Sequence, residues 1–290
     1  MQKTIKPLVA AAALGFTSSA FAADLYQPPV YEAPPPVEVK KIAVGGWYLR
    51  GDLGYRWSDL RGLEYITYGC PTCTPDPGTH AFDSTDLKGA LSLGAGVGYQ
   101  MTPHFRADLT ADYWFKSDFR GTTSSVACGA GPCSSTDESA YSALLLMANA
   151  YVDLGTYHGL TPYLGAGIGG AYVKWDDLEN TIGSSTDVHK GVSDWRFAWS
   201  LMAGASYCLT ENLQLDAGYR YTRIEGGRMF EYATPSGGGI GAGPGFDDGF
   251  NVHEARAGVR YTFGGNVNCM VPQTVAYEPP AYEYSPTAYK

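Results

Sequence analysis

Eight times between residues 47 and 263 the polarity of this chain alternates with a period of two. In the first segment, Trp47, Leu49, Leu53, Tyr55 and Trp57 fall on one face, and Tyr48, Arg50, Asp52, Arg56 and Ser58 on the other. A β-strand produces this pattern because successive side chains point to opposite sides. The same pattern recurs over residues 87–101, 105–116, 141–154, 162–173, 195–209, 213–224 and 252–263. Connections after the second, fourth and sixth segments are short, around Thr102-Pro103-His104, Gly155 to Gly159 and Thr210-Glu211-Asn212. Those after the first, third, fifth and seventh are long, at 59–86, 117–139, 176–193 and 226–250. A soluble barrel would turn its apolar face inward and has no reason for strict short-and-long alternation. Even strand number, alternating connections and aromatics near strand ends (Trp47 with Trp57, Phe105 with Phe115) point instead to an all-β, eight-stranded antiparallel up-and-down transmembrane β-barrel. Its short turns are expected in the periplasm and its long loops outside the cell.

The ends of the chain agree with export. Lys3 and Lys6 precede a short apolar run, and Ala20-Phe21-Ala22 has the small residues of a cleavage site. Residues 1–22 read as a signal peptide, with Ala23-Asp24 as the mature start. Loss of two lysines takes the formal net charge from −9 to −11, which argues against nucleic acid as a partner. Residues 23–44 are a Pro-rich periplasmic linker, the barrel occupies 45–263, and 264–290 form a Pro/Tyr-rich periplasmic tail. Tyr26-Gln-Pro-Pro-Val-Tyr31-Glu in the linker is echoed by Tyr277-Glu-Pro-Pro-Ala-Tyr282-Glu in the tail.

If the apolar face meets lipid, the polar face lines the interior. The expected charge network there is Arg50, Asp52, Arg56, Lys88, Arg106, Asp108, Asp112, Asp153, Arg196, Asp216, Arg220, Glu254, Arg256 and Arg260, with Lys116 on the same face. An eight-stranded barrel is just wide enough inside to be filled by side chains. Mixed signs allow pairing that offsets desolvation, so the expected interior is a charge-paired plug.

Other motifs carry less chemistry. Gly165-Ala-Gly167-Ile-Gly169-Gly170 matches a dinucleotide fingerprint, but no amphipathic helix follows, and strand glycines beside a crowded interior explain it better. The histidines at 80, 104, 158, 189 and 253 are dispersed and read as surface or interfacial. No catalytic set, metal site or cofactor is expected. Six cysteines in an exported chain default to disulfides: Cys70 and Cys73, Cys128 and Cys133 are close in sequence, with Cys208 and Cys269 remaining. Cys70-Pro-Thr-Cys73 lies in a loop without the βαβ context of a redox motif.

Trp47-Tyr-Leu-Arg-Gly-Asp-Leu-Gly-Tyr55, Asn149-Ala-Tyr-Val-Asp-Leu-Gly155, Pro162-Tyr-Leu-Gly-Ala-Gly-Ile-Gly-Gly170 and Ala257-Gly-Val-Arg-Tyr-Thr-Phe263 carry a family resemblance. The chain resembles the small opacity-like, porin-family outer-membrane β-barrel proteins of alphaproteobacteria. The resemblance implies a structural envelope protein set among outer-membrane lipid and lipopolysaccharide, with loops that meet a host or environmental ligand. Some relatives bind haemin, for which Cys70-Pro71 and His80 are the only hints here. Others are joined to peptidoglycan through a mature Ala-Asp start, which Ala23 and Asp24 match. Such barrels end at the aromatic corresponding to Phe263, whereas this chain continues, and a Cys208–Cys269 disulfide is expected to pin that extension at the periplasmic mouth. The leading expectation is envelope integrity with wall attachment. A narrow porin-like channel and loop-mediated ligand binding are the alternatives.

Overall fold

The computed structural model describes residues 45–68, 78–125, 133–233 and 241–269. The expected signal peptide, linker, Ala23 and Asp24, together with Cys70, Cys73, Cys128 and residues 270–290, lie outside the described residues, as does the Cys133 side chain. The strands are β1 (Gly46–Leu60), β2 (Glu64–Tyr68), β3 (Gly78–Ala81), β4 (Ser84–Leu87), β5 (Ala90–Gln100), β6 (Phe105–Thr122), β7 (Ser124–Ser125) and β8 (Cys133–Ser134). They continue as β9 (Thr136–Asp153), β10 (Leu160–Trp175), β11 (Leu178–Ile182), β12 (Ser185–Gly191), β13 (Ser193–Cys208), β14 (Leu213–Ala233) and β15 (Gly241–Thr262).

Eight of them close a ring of antiparallel pairs in the order β1-β5-β6-β9-β10-β13-β14-β15, and β15 returns to β1 from Tyr48 opposite Thr262 to Leu60 opposite Phe250. Each ladder therefore satisfies its neighbours' backbone groups without an edge, as a structure in hydrocarbon requires. The outward face carries exposed Leu49, Leu53, Leu93, Leu109, Leu164, Ile168 and Leu201. Trp47 to Trp57 matches the roughly 9–11 residues a tilted strand needs to cross the hydrocarbon.

The expected long loops are largely strand. β6 continues to Thr122 and β9 begins at Thr136, while β14 and β15 extend to Ala233 and back from Gly241. The β11–β12 hairpin joins the wall by pairing with β9 on one side and β14 on the other. In these extensions the polarity inverts: Phe119, Tyr141, Val173 and Trp175 face inward and are buried, while Asp118, Arg120 and Lys174 face outward. Water replaces lipid outside, so the apolar face has to turn in.

β6 makes the change with a bulge between Trp114 and Ser117. Phe115 and Lys116 both point outward there, so the inward residues shift from even to odd numbers. Lys116 is accordingly not on the interior face; its side chain is exposed and pairs with Asp176 at 2.6 Å. Lys88 also departs from the expected network. Leu87 belongs to β4, which pairs with β6, and the alternation breaks before β5 starts at Ala90. Lys88 is left half exposed beside Asp118 at 3.2 Å.

The β9–β10 turn is built on Tyr157 to Leu160, whose backbone groups exchange two hydrogen bonds of 2.9 and 3.0 Å. Both central residues have positive φ, His158 at 49° and Gly159 at 80°, the requirement of a type I′ hairpin turn. A side chain at His158 is disfavoured there. His158→Gly should raise unfolding stability by about 1 kcal/mol, measured by denaturant titration of protein refolded into liposomes.

Candidate functional site

The interior contains three zones. In the lipid-embedded part, five arginines and their acidic partners converge from β1, β6, β9, β14 and β15. Arg50 is held by Asp52 at 2.7 Å, by Asp108 at 3.1 Å and by the Tyr151 hydroxyl at 3.0 Å. Asp108 also accepts from Asn149 at 2.8 Å. Arg256 lies 2.7 Å from Asp112 and 3.2 Å from Asp52, and Arg220 bridges Asp112 at 2.7 Å and Glu254 at 2.6 Å. Nearer the short turns, Arg106 donates to Asp153 at 3.1 Å and stacks between Tyr151 and Tyr163, 4.0 and 4.7 Å from their ring centres. Arg260 donates to Ser206 at 2.8 Å and lies 3.3 Å from Asp216.

Arg56 is different: no carboxylate among the described residues pairs with it. Its guanidinium lies 4.9 Å from the ring centres of both Trp114 and Tyr141 and donates to Ser58, the Tyr141 hydroxyl and the Phe115 carbonyl. Aromatic faces and neutral acceptors take the place of a counter-ion.

The glycines opposite these side chains follow from the crowding. A Cβ at Gly165 would stand 2.5 Å from the Tyr151 ring, and one at Gly218 would stand 2.7 Å from the Tyr163 hydroxyl. A cavity of about 10 Å³, lined by Arg50, Tyr151, Tyr163, Met202, Asp216 and Arg220, has room for about one water. That is not an open aqueous passage.

Above the charges, at the hairpin end, sits a dry aromatic zone that the sequence reading missed. Trp175 is its centre, with ring centroids 5.3 to 5.9 Å from those of Phe119, Tyr141, Phe230 and Phe250. Leu145, Val173, Ile224, Met229 and Val252 are among the other buried members of the cluster. Over it, Arg196 grips both oxygens of Asp247 at 2.8 Å, so the partner of Arg196 is a residue outside the expected set. In β9 and β10 the apolar residues move from even to odd numbers (Leu145 and Met147, Val173 and Trp175), which is the signal that could have revealed this zone; in β6 the bulge hides it.

Beyond the lipid-facing belt, Asp137 is buried among Ser135, Asn180 and His189. Burial pushes its carboxyl above the usual range, against the opposing effects of those neighbours. His189 is therefore neither surface nor interfacial: it is buried and hydrogen-bonded to the Glu231 carbonyl at 3.1 Å. His80 lies on β3 with its ring 5.7 Å from Tyr65. Among the described residues no group of three or more His, Cys, Asp or Glu is placed to hold a metal ion.

The short-turn end is covered by the chain itself. After β15, residues 264–269 turn under the barrel, and Cys269 is joined to Cys208 by a disulfide, with Cα atoms 5.5 Å apart. Buried Asn266 donates its backbone N–H to the Glu211 carbonyl at 2.7 Å and its amide to Gln214 at 3.0 Å. Asn268 reaches the Pro103 carbonyl at 3.0 Å. Glu211 is in the β13–β14 turn and Pro103 in the β5–β6 turn, which stand on opposite sides of the eight-membered ring. The segment thus crosses the mouth.

The outer membrane protein beta-barrel domain model matches residues 8–263. The chain belongs to this family, and its location is the bacterial outer membrane. It is 42% identical over 275 residues to an uncharacterized protein of Brucella abortus, covering 85% of this chain and 93% of the relative. Outer membrane protein PagN of Salmonella typhimurium is 29% identical over 49% of this chain and 61% of its own length. A putative adhesin of Rickettsia bellii is 27% identical over 46% of this chain and 58% of its own. Among solved structures, OprG of Pseudomonas aeruginosa aligns with 17% identity and a TM-score of 0.40, over 75% of this chain and 96% of the other.

Two variants separate the roles of the two seals. Trp175→Ala should cost about 3–5 kcal/mol of unfolding stability, read from urea titration in lipid vesicles, because Trp175 packs against Phe119, Tyr141, Phe230 and Phe250. A Cys208→Ser/Cys269→Ser double variant should keep the barrel yet lose up to about 4 kcal/mol by chain-entropy reasoning for a 61-residue separation. Deuterium exchange should rise at Asn266 to Asn268 in that variant and remain slow in β14.

Proposed function

We propose that this protein is a closed structural barrel of the outer membrane, contributing to envelope integrity, with its specific contacts made by its surfaces. The observation that carries this reading is occlusion: charge pairs fill the middle of the interior, the Trp175 cluster fills the hairpin end, and residues 264–269 cross the short-turn end. Side chains buried in such pairs are costly to separate, so the interior is a rigid filling. Planar-bilayer recording of the refolded full chain should give no discrete conductance steps. Steps of reproducible size in the unmodified protein would support the porin-like alternative and overturn this one.

In this reading the hairpin extensions face the outside and both termini lie in the periplasm. The mature amine at Ala23, followed by Asp24, is then positioned for attachment to peptidoglycan, with residues 24–44 as spacer. Mass spectrometry of lysozyme-digested sacculi should find a muropeptide on the peptide that begins at Ala23; a free amine in every such peptide would sink the attachment.

Surface adhesion is a second reading, supported by strands that rise beyond the lipid belt and by similarity to the Rickettsia bellii putative adhesin. The β11–β12 hairpin carries Glu179 and Asp187 against Lys190, and Asp177 lies just before it. Its charge suits a basic partner surface and opposes a polyanion.

A further inference from the structure

On the outside of the barrel, where β1, β15, β14 and β13 run side by side near the hairpin end, the lipid-facing surface changes character. Trp57 stands opposite His253, and His253 opposite Tyr221, in one row across three strands. The Trp57 and His253 rings lie nearly parallel, 13° apart, with centroids at 6.0 Å. Tyr221 is 5.4 Å from His253, and Trp199 continues the surface 5.6 Å from Tyr221. Across four strands this gives a platform roughly 14 Å wide. Trp57 is 43% exposed and His253, Tyr221 and Trp199 are partly exposed, with Tyr219 one row below at 42%.

The upper edge of the platform is polar. Tyr219, one row toward the short turns, brings its hydroxyl to 2.5 Å from His253 Nδ1, and Nε2 is the other ring nitrogen. Asp59 lies 3.9 Å from that Nε2. One row along, Arg223 donates to Asn251 at 3.2 Å and to the Asp248 carbonyl. Among the described residues no carboxylate lies within 4 Å of the Arg223 guanidinium, whereas outward-facing Lys116, Lys88 and Arg120 are each paired with Asp176, Asp118 and Glu138. An uncompensated guanidinium at the headgroup level attracts phosphate. The flat rings beside it suit the C–H face of a sugar, and Asp59 at the other end suits its hydroxyl and amide donors.

We propose that Trp57, His253, Tyr219, Tyr221 and Arg223 form a docking site for the phosphorylated amino-sugar headgroup of an outer-leaflet glycolipid. Its phosphate meets Arg223, its sugar ring lies over Trp57 and His253, and its acyl chains run down the aliphatic belt. The site rests on the hairpins facing outward as proposed above. A glycerophospholipid offers phosphate without a sugar face and should fit less well.

The test uses the refolded full chain in detergent micelles, titrated with diphosphorylated lipid A, dephosphorylated lipid A and phosphatidylglycerol, with bound lipid counted by native mass spectrometry. Diphosphorylated lipid A should bind at one copy per chain and at least about tenfold more tightly than phosphatidylglycerol. Arg223→Gln should reduce its affinity to that of the dephosphorylated form, Arg223→Lys should restore part of it, and Trp57→Leu should weaken both glycolipids. Heat-modifiable electrophoretic mobility checks that each variant is folded. Equal retention of all three lipids, or no effect of folded Arg223→Gln, would overturn the proposal. Orientation is tested separately: labelling of an Asp187→Cys variant on intact cells by an impermeant maleimide succeeds only if the hairpins face outward, whatever the lipid result.

Discussion

A strand in hydrocarbon has no water to satisfy its N–H and C=O groups, so the pairing of β15 with β1 is the contact on which everything else depends. Without it the sheet has two open edges in lipid. With it, the ring has eight members, and that number fixes an interior which side chains can fill. Filling then dictates composition. Tyr151 and Tyr163 fit only because Gly165 and Gly218 offer no Cβ, and the arginines fit only because a carboxylate, hydroxyl or ring waits opposite each of them.

A second constraint is the change of solvent along each long strand. Within the belt, lipid outside favours Leu and Ile outward and confines charge to the interior. Past the belt, water outside reverses the preference, and the interior becomes the Trp175 cluster. The bulge at Phe115 and Lys116 reconciles the two regimes in β6 by shifting the phase one residue. The outcome is a barrel sealed by apolar packing at one end and by a disulfide-held segment at the other.

The lipid belt was legible because hydrocarbon imposes one sign of alternation on every strand, and eight repeats of it announced their number. The even count, the short turns and the inward residues of that belt followed directly. Where a second regime began, the same rule misled. Lys88 and Lys116 fit the alternation as text, yet a break before β5 and a bulge in β6 put both outside. The hairpin walls read as loops because their apolar residues sit on the opposite phase, mixed with Gly and Asp. Asp247 lay in a stretch with no recognised period, so nothing in the sequence pointed it toward Arg196.

Sequence alone therefore determined family, strand number and which belt residues face inward, since each depends on local polarity repeated along the chain. The tertiary structure decided which acid each arginine meets, where the aromatic zone forms and how residues 264–269 cross the mouth. Those depend on ring closure and strand stagger, which bring together residues such as Asp112 and Arg256, 144 positions apart. No local pattern records such a distance; only a closed barrel makes it short.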